Sequence, residues 1–162
     1  MNVFEKCSKS NLIIEALSLF SLLLTFAPLF FYNSLCAGKP IPIHYNINGE
    51  IDGWGSSSFL FYLALLALVT YVFFSVIPKF PKFFNYPVKV TTDNAKQLSA
   101  LATGMLLRLK FLVILMFAYI NNISVYIAMG NDANFNVFVL SAFMIVIFAT
   151  VAVFFMKMMK LK

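Results

Sequence analysis

Pro40-Ile-Pro-Ile-His-Tyr-Asn-Ile-Asn-Gly-Glu-Ile-Asp-Gly-Trp-Gly-Ser56 is the only stretch of this chain in which polar, turn-forming and titratable residues gather between two long apolar runs. Asn48-Gly49 is a strong hairpin signal, because a type I′ turn needs positive φ at both central residues and this pair tolerates it. Two short arms, about 43–47 and 50–54, are expected to fold back on each other. Pro40 and Pro42 lack an N–H and favour an extended entry at a sheet edge. Gly53 and Gly55 flank the single tryptophan, an amphipathic ring suited to headgroup depth, and Ser56, Ser57 or Ser58 can cap the helix that follows. The stretch reads as a small ordered cap on one face of a membrane.

The membrane follows from composition. The 162 residues are 62% hydrophobic and 11% charged, with mean hydropathy +0.90, whereas soluble domains are nearer half apolar and about a quarter charged. Twenty Phe and eight Met suit a surface against acyl chains. The net charge of +6 does not indicate a nucleic-acid partner. The basic residues lie in spacers between apolar runs and form no stripe on a soluble face.

Four apolar runs predict an all-α membrane protein of four transmembrane helices with a short external hairpin-like loop between the first two, one domain over 1–162. The spans are placed at 12–32, 59–77, 105–129 and 135–156, with an external loop 33–58 and a cytoplasmic linker 78–104; each run is long enough for about 30 Å of hydrocarbon. The first also has the form of a signal peptide, with Cys36 in a faint lipoprotein context, but Leu35 stands where a small residue is needed and more spans follow, so it reads as a permanent helix. Pro28 removes the hydrogen bond to the Leu24 carbonyl, which a neighbouring helix can satisfy. Pro78 to Val90 mixes three prolines, three lysines and four aromatics and suits the headgroup region. Thr91-Thr92-Asp93 reads as a helix start. An amphipathic pattern at Leu98, Leu101, Ala102, Met105, Leu106 and Leu109 then carries that helix from the interface into the bilayer. Arg108 and Lys110 are expected to snorkel at its inner end.

Of twelve Lys and Arg, all but Lys39 fall on the side of the two termini and the 78–104 linker. The positive-inside rule therefore expects both termini in the cytoplasm and the hairpin outside. Cys7 and Cys36 then lie on opposite faces and form no intrachain disulfide.

Chemistry is sparse. There is one histidine, no Ser/His/Asp arrangement, no glycine-rich phosphate loop and no CxxC pair, so no enzyme and no cofactor are expected. His44 with Asn46, Glu50 and Asp52 forms the one candidate constellation. A hairpin would present an imidazole and two carboxylates to a divalent cation, or these side chains would serve the loop's own backbone; the second reading is preferred and no metal is assigned. Glu15, about one turn inside the first span, is expected to pair with a cytoplasmic lysine or with Arg108; a proton relay would lack a second acidic residue in any span. The basic, aromatic linker reads as a contact for anionic lipid or a dock for a cytoplasmic protein.

Ile41-Pro-Ile-His-Tyr-Asn46, followed by Gly49, Asp52-Gly53 and Trp54-Gly55, resembles the signature of the DUF-type membrane domain at the N-terminus of SdpI-like immunity proteins. Asn85-Tyr-Pro-Val-Lys-Val-Thr91, Asn94 and Met105-Leu-Leu-Arg-Leu-Lys110 are similar to its compact bacterial members. The resemblance implies a bacterial inner-membrane protein. The immunity proteins guard against a secreted peptide toxin and hold a transcriptional repressor at the membrane, and they carry further helices beyond the four read here.

The expected function is therefore non-enzymatic. A cap built on His44, Asn46, Gly49, Asp52 and Trp54 would bind an extracytoplasmic ligand such as an antibacterial peptide, and the linker would contact a cytoplasmic regulatory protein. The alternative is an accessory subunit of a membrane transport complex, with Thr70, Tyr71, Asn121 and Asn122 lining a polar seam to a partner or a second copy.

Overall fold

In a computed structural model, residues 9–30, 38–131 and 137–161 are described. The readings made on Cys7, Cys36, the start of the external loop and most of the turn at 130–134 lie outside them. The described elements are helix α1 (Lys9–Phe30), strands β1 (Pro40–Tyr45) and β2 (Ile51–Ser56), and helices α2 (Phe59–Val76), α3 (Ala95–Ala128) and α4 (Val137–Met159). All four helices are long and apolar enough to cross a membrane. The chain is a multi-pass membrane protein with a two-stranded hairpin between its first two helices.

α3 is the hub, packing against α1, α2, β1 and α4. At 34 residues it is about 51 Å long, well beyond the hydrocarbon thickness, so it extends past the bilayer towards the linker. α1 meets α3 through Ser18, Ser21, Leu22, Thr25 and Pro28, buried at spacings of three and four residues. Small side chains let two backbones approach, and dispersion then does the work that hydrophobicity cannot do in lipid. The hydroxyls of Ser18, Ser21 and Thr25 donate back to the carbonyls of Ile14, Leu17 and Ser21 at 2.7–2.9 Å, so this face carries no unmet donors. α2 presents Leu60, Ala64 and Ala67 in the same way.

The core has three layers. Ile41, Leu60 and Val125 close the hairpin end; Leu22, Ala67 and Ile114 fill the middle; Leu98, Ala102 and Met158, with Phe84, Tyr86 and Val88 of the linker around them, close the other end. Outward-facing Phe, Leu and Val dominate the helix surfaces, as acyl chains allow.

Pro78 and Pro81 each lie in a short 3-10 turn, at Ile77–Lys79 and Pro81–Phe83, and no longer helix forms between these turns and α3. Ser58 stands at the N-cap of α2 without capping it; its N–H and hydroxyl turn to the Ser56 hydroxyl. Thr91 does cap: its hydroxyl accepts the Asn94 N–H at 3.3 Å and the Asn94 carboxamide accepts the Thr91 N–H at 2.8 Å, a reciprocal box. Asn94 Nδ2 also donates to the carbonyls of Lys89 and Leu161, tying the linker to the chain just beyond α4. The inward stripe of α3 runs through Leu98, Ala102, Leu107 and Lys110, not through Leu106 and Leu109.

Candidate functional site

β1 and β2 pair antiparallel, Pro40 opposite Ser56 and Tyr45 opposite Ile51. The turn differs from the expected type I′. Gly49 has φ +83°, but no non-glycine residue in the described chain has positive φ, so Asn48 does not join it. Instead the Gly49 N–H closes a turn on the Asn46 carbonyl at 2.9 Å, and the Asn46 N–H reaches the Glu50 carbonyl. This is the three-residue loop with a left-handed glycine. Asn46 decides it: its Oδ1 accepts the N–H groups of Asn48 and Glu50 at 2.9 and 3.0 Å, organising the loop from inside.

A bulge at Ile43 interrupts the register between Pro42 and His44. The alternation of faces breaks there, so Ile41 and Pro42 are both buried while Ile43 and His44 are both exposed. Ile41 packs on Leu60 and Val125, and the Ser124 hydroxyl donates to the Pro42 carbonyl at 3.4 Å. Tyr45 turns its phenol towards Ser124, and burial pushes its pKa above the ordinary 10. Gly53 and Gly55 are dictated by proximity: a Cβ on Gly53 would stand 2.9 Å from the His44 Cβ, and one on Gly55 2.8 Å from Ile43 Cδ1.

The five residues singled out in the sequence thus share one hairpin with distinct roles. His44 Nδ1 lies 2.5 Å from Asp52 Oδ1 across the strands, and Asn46 Nδ2 donates to Glu50 at 2.7 Å. Gly49 supplies the turn, and Trp54, opposite Pro42, leaves about half its surface open. The carboxylates are each engaged with a strand partner. Among the described residues no three His, Cys, Asp or Glu converge as metal ligands.

Two polar centres inside the bundle were not foreseen in this form. Lys110 does not snorkel; it has no exposed surface. Its ammonium donates to Glu15 Oε1 and Oε2 at 2.8 and 2.6 Å and to Ser75 Oγ at 3.0 Å, and lies 4.4 Å from the centre of the Tyr71 ring. The Tyr71 hydroxyl donates to Glu15 at 2.7 Å. Three helices are joined by one ion pair, and Arg108, the other partner considered for Glu15, turns to Ser10 and the Gly104 carbonyl.

The second centre lies nearer the hairpin. Asn122 Nδ2 donates to the Leu24 carbonyl at 3.0 Å, the group that Pro28 leaves without its helical donor, and Asn121 Nδ2 donates to Thr25 O at 2.9 Å. Asn121 is fully buried, and its Oδ1 has no partner in the structure. Asn121 and Tyr71 thus serve the interior of this bundle, whereas Asn122 is exposed at its surface beside α1. The orphan carbonyl at Leu24 was the sequence signal that could have found Asn122; for Lys110, the spacing of three from Leu107 and four from Ile114 was masked by its charge.

Residues 19–69 match a domain of unknown function, DUF1648. The match runs from the middle of α1 through the hairpin into α2, so it includes Pro28 and all five hairpin residues. No curated protein and no solved structure matches the chain.

Proposed function

We propose that this protein is a non-enzymatic membrane receptor whose hairpin, on the extracytoplasmic face of a bacterial inner membrane, recognises a ligand such as a secreted antibacterial peptide, in the manner of SdpI-like immunity proteins. The observation that carries the reading is the division of the hairpin into a clamped base and an open crown. Ile41 and Pro42 are locked to α2 and α3, while His44, Asp52 and Trp54 face outward on a register fixed by Gly53 and Gly55. A rigid platform with an aromatic ring and polar side chains loses little entropy on binding. The orientation rests on the Lys and Arg asymmetry, with the linker facing a cytoplasmic regulatory partner.

The test is survival. Cells producing the protein should withstand secreted membrane-active peptides that kill cells lacking it, and changing His44, Asp52 and Trp54 together to Ala should abolish the protection while the protein stays in the membrane. Unchanged sensitivity in both comparisons overturns the reading. In parallel, with native cysteines replaced, His44→Cys should react with a membrane-impermeant maleimide in intact cells.

The accessory-subunit reading draws support from α4, which buries only Phe154 and Met158 along its length and offers the rest of its surface to lipid or to another helix. Co-purification of one transport protein in fixed ratio would favour it over the receptor.

A further inference from the structure

α1 and α4 both pack on α3 and leave a cleft between them. The cleft holds about 370 Å³ and is walled by Leu24 of α1, Leu115, Ala118, Tyr119 and Asn122 of α3, and Phe143 of α4. Its lining is almost wholly apolar. At the linker end of the same three helices, Arg108 and Lys157 flank one ring: the guanidinium carbon and the ammonium each lie 5.2 Å from the centre of Phe154. Arg108 Nη2 also donates to the Ser10 hydroxyl at 3.2 Å and Nη1 to the Gly104 carbonyl at 2.9 Å. A guanidinium has five donors, so among the described residues three remain uncommitted, as does the Ser10 hydroxyl proton.

Among the described residues the Arg108 and Lys157 cations have no carboxylate partner. Among the described residues, the acidic groups on the linker side are Glu15, held by Lys110, and Asp93, which accepts from Thr92. Neither neutralises Arg108 or Lys157. Two cations beside one aromatic ring repel each other, and an anion within reach of both offsets that cost.

The spacing joins the two features. Leu115 to Asn122 lie seven to fourteen residues beyond Arg108 on α3, or roughly 10–21 Å along the axis. α4 runs the opposite way, which sets Phe143 beside Tyr119, their rings 6.4 Å apart, and Phe154 beside Arg108. The geometry points to a phospholipid with a net-negative headgroup seated between α1 and α4. Its phosphate is held by Arg108, Lys157 and the Ser10 hydroxyl, and one acyl chain runs along α3 into the cleft. A headgroup at the helix ends with a chain directed towards the bilayer centre is the arrangement in which lipids already stand, so little reorientation is needed.

The test uses the full chain reconstituted in nanodiscs of phosphatidylglycerol and phosphatidylcholine in equal amounts, then extracted into detergent for native mass spectrometry. The intact protein should retain phosphatidylglycerol over phosphatidylcholine. Lys157→Gln, at an exposed position, and Arg108→Gln should each lower that preference about fivefold, the effect of one basic residue near a membrane surface. Leu115→Trp, which fills the cleft and leaves both cations, should release the lipid as well. Excess inorganic phosphate should not displace it, because the chain as well as the headgroup is held. Equal retention of both lipids by the intact protein, an unchanged preference in Lys157→Gln, or displacement by inorganic phosphate overturns the proposal.

Discussion

The two polar centres of this bundle solve the same problem in opposite ways. Near the linker, Glu15 and Lys110 bring full charges into the helix interface and satisfy them on side chains, with Tyr71 and Ser75 completing the set. Towards the hairpin, Asn121 and Asn122 bring neutral amides and spend them on backbone carbonyls of α1. The contrast follows position. Ser75 is the last residue but one of α2, so the ion pair sits at the end of the span, where Glu15 keeps about a third of its surface open. The amides meet a helix that continues through Pro28 without that residue's N–H, so the Leu24 carbonyl is unmet and only a donor helps. Charge is tolerated close to water, and a broken ladder calls for an amide.

The sharpest break in this comparison should come from the ion pair. Glu15→Ala leaves the fully buried Lys110 charge without compensation and should cost about 3–5 kcal/mol, Lys110→Ala should cost less because Glu15 keeps access to solvent, and the joint replacement Glu15→Leu with Lys110→Met should be nearly neutral. Unfolding in mixed detergent with increasing SDS measures both. A double variant as damaged as either single one would show that the charges do more than neutralise each other.

A smaller effect is expected at the amides. Asn122→Ala should cost about 1 kcal/mol, within the range of interhelical hydrogen bonds in membranes. In a Pro28→Ala background the Leu24 carbonyl regains a helical donor, so the same change should cost clearly less. Equal costs in the two backgrounds, read by the same unfolding assay, would sever the link between Pro28 and Asn122.

At the hairpin, Gly53→Ala forces its new methyl against His44 and should destabilise the cap by about 1–3 kcal/mol. Slower amide exchange elsewhere should persist while protection at 40–56 falls. The smallest effect concerns pH. Burial raises the Tyr45 and Tyr86 phenols above 10, so the folded state binds those protons more tightly than the unfolded chain. The stability this supplies is complete below pH 10 and declines as pH climbs through the raised values. An ultraviolet titration should find a tyrosinate fraction that forms only above the ordinary range, and Tyr45→Phe should diminish it.

The hairpin shows how much could be read early and where reading stopped. Asn48-Gly49 located the reversal, and His44, Asn46, Glu50 and Asp52 met across it in two pairs. The turn type was missed because Asn46 lies outside the dipeptide that signals type I′, and its carboxamide favours a longer loop. The bulge at Ile43 was equally hidden, since it arises from fitting Ile41 and Pro42 onto helices distant in sequence.

Length and hydropathy determined the four membrane-crossing helices and the run from Asn94 into α3, and the turn chemistry of Asn48-Gly49 determined the hairpin between the first two, because each depends on contiguous residues. Only the tertiary structure decided that Lys110 turns inward to Glu15, that Asn122 repairs the carbonyl Pro28 exposes, and that Arg108 and Lys157 share one ring. Those pairings join residues 95, 98 and 49 positions apart. In lipid, where apolar faces are nearly interchangeable, such polar contacts select one helix arrangement from the many that composition permits.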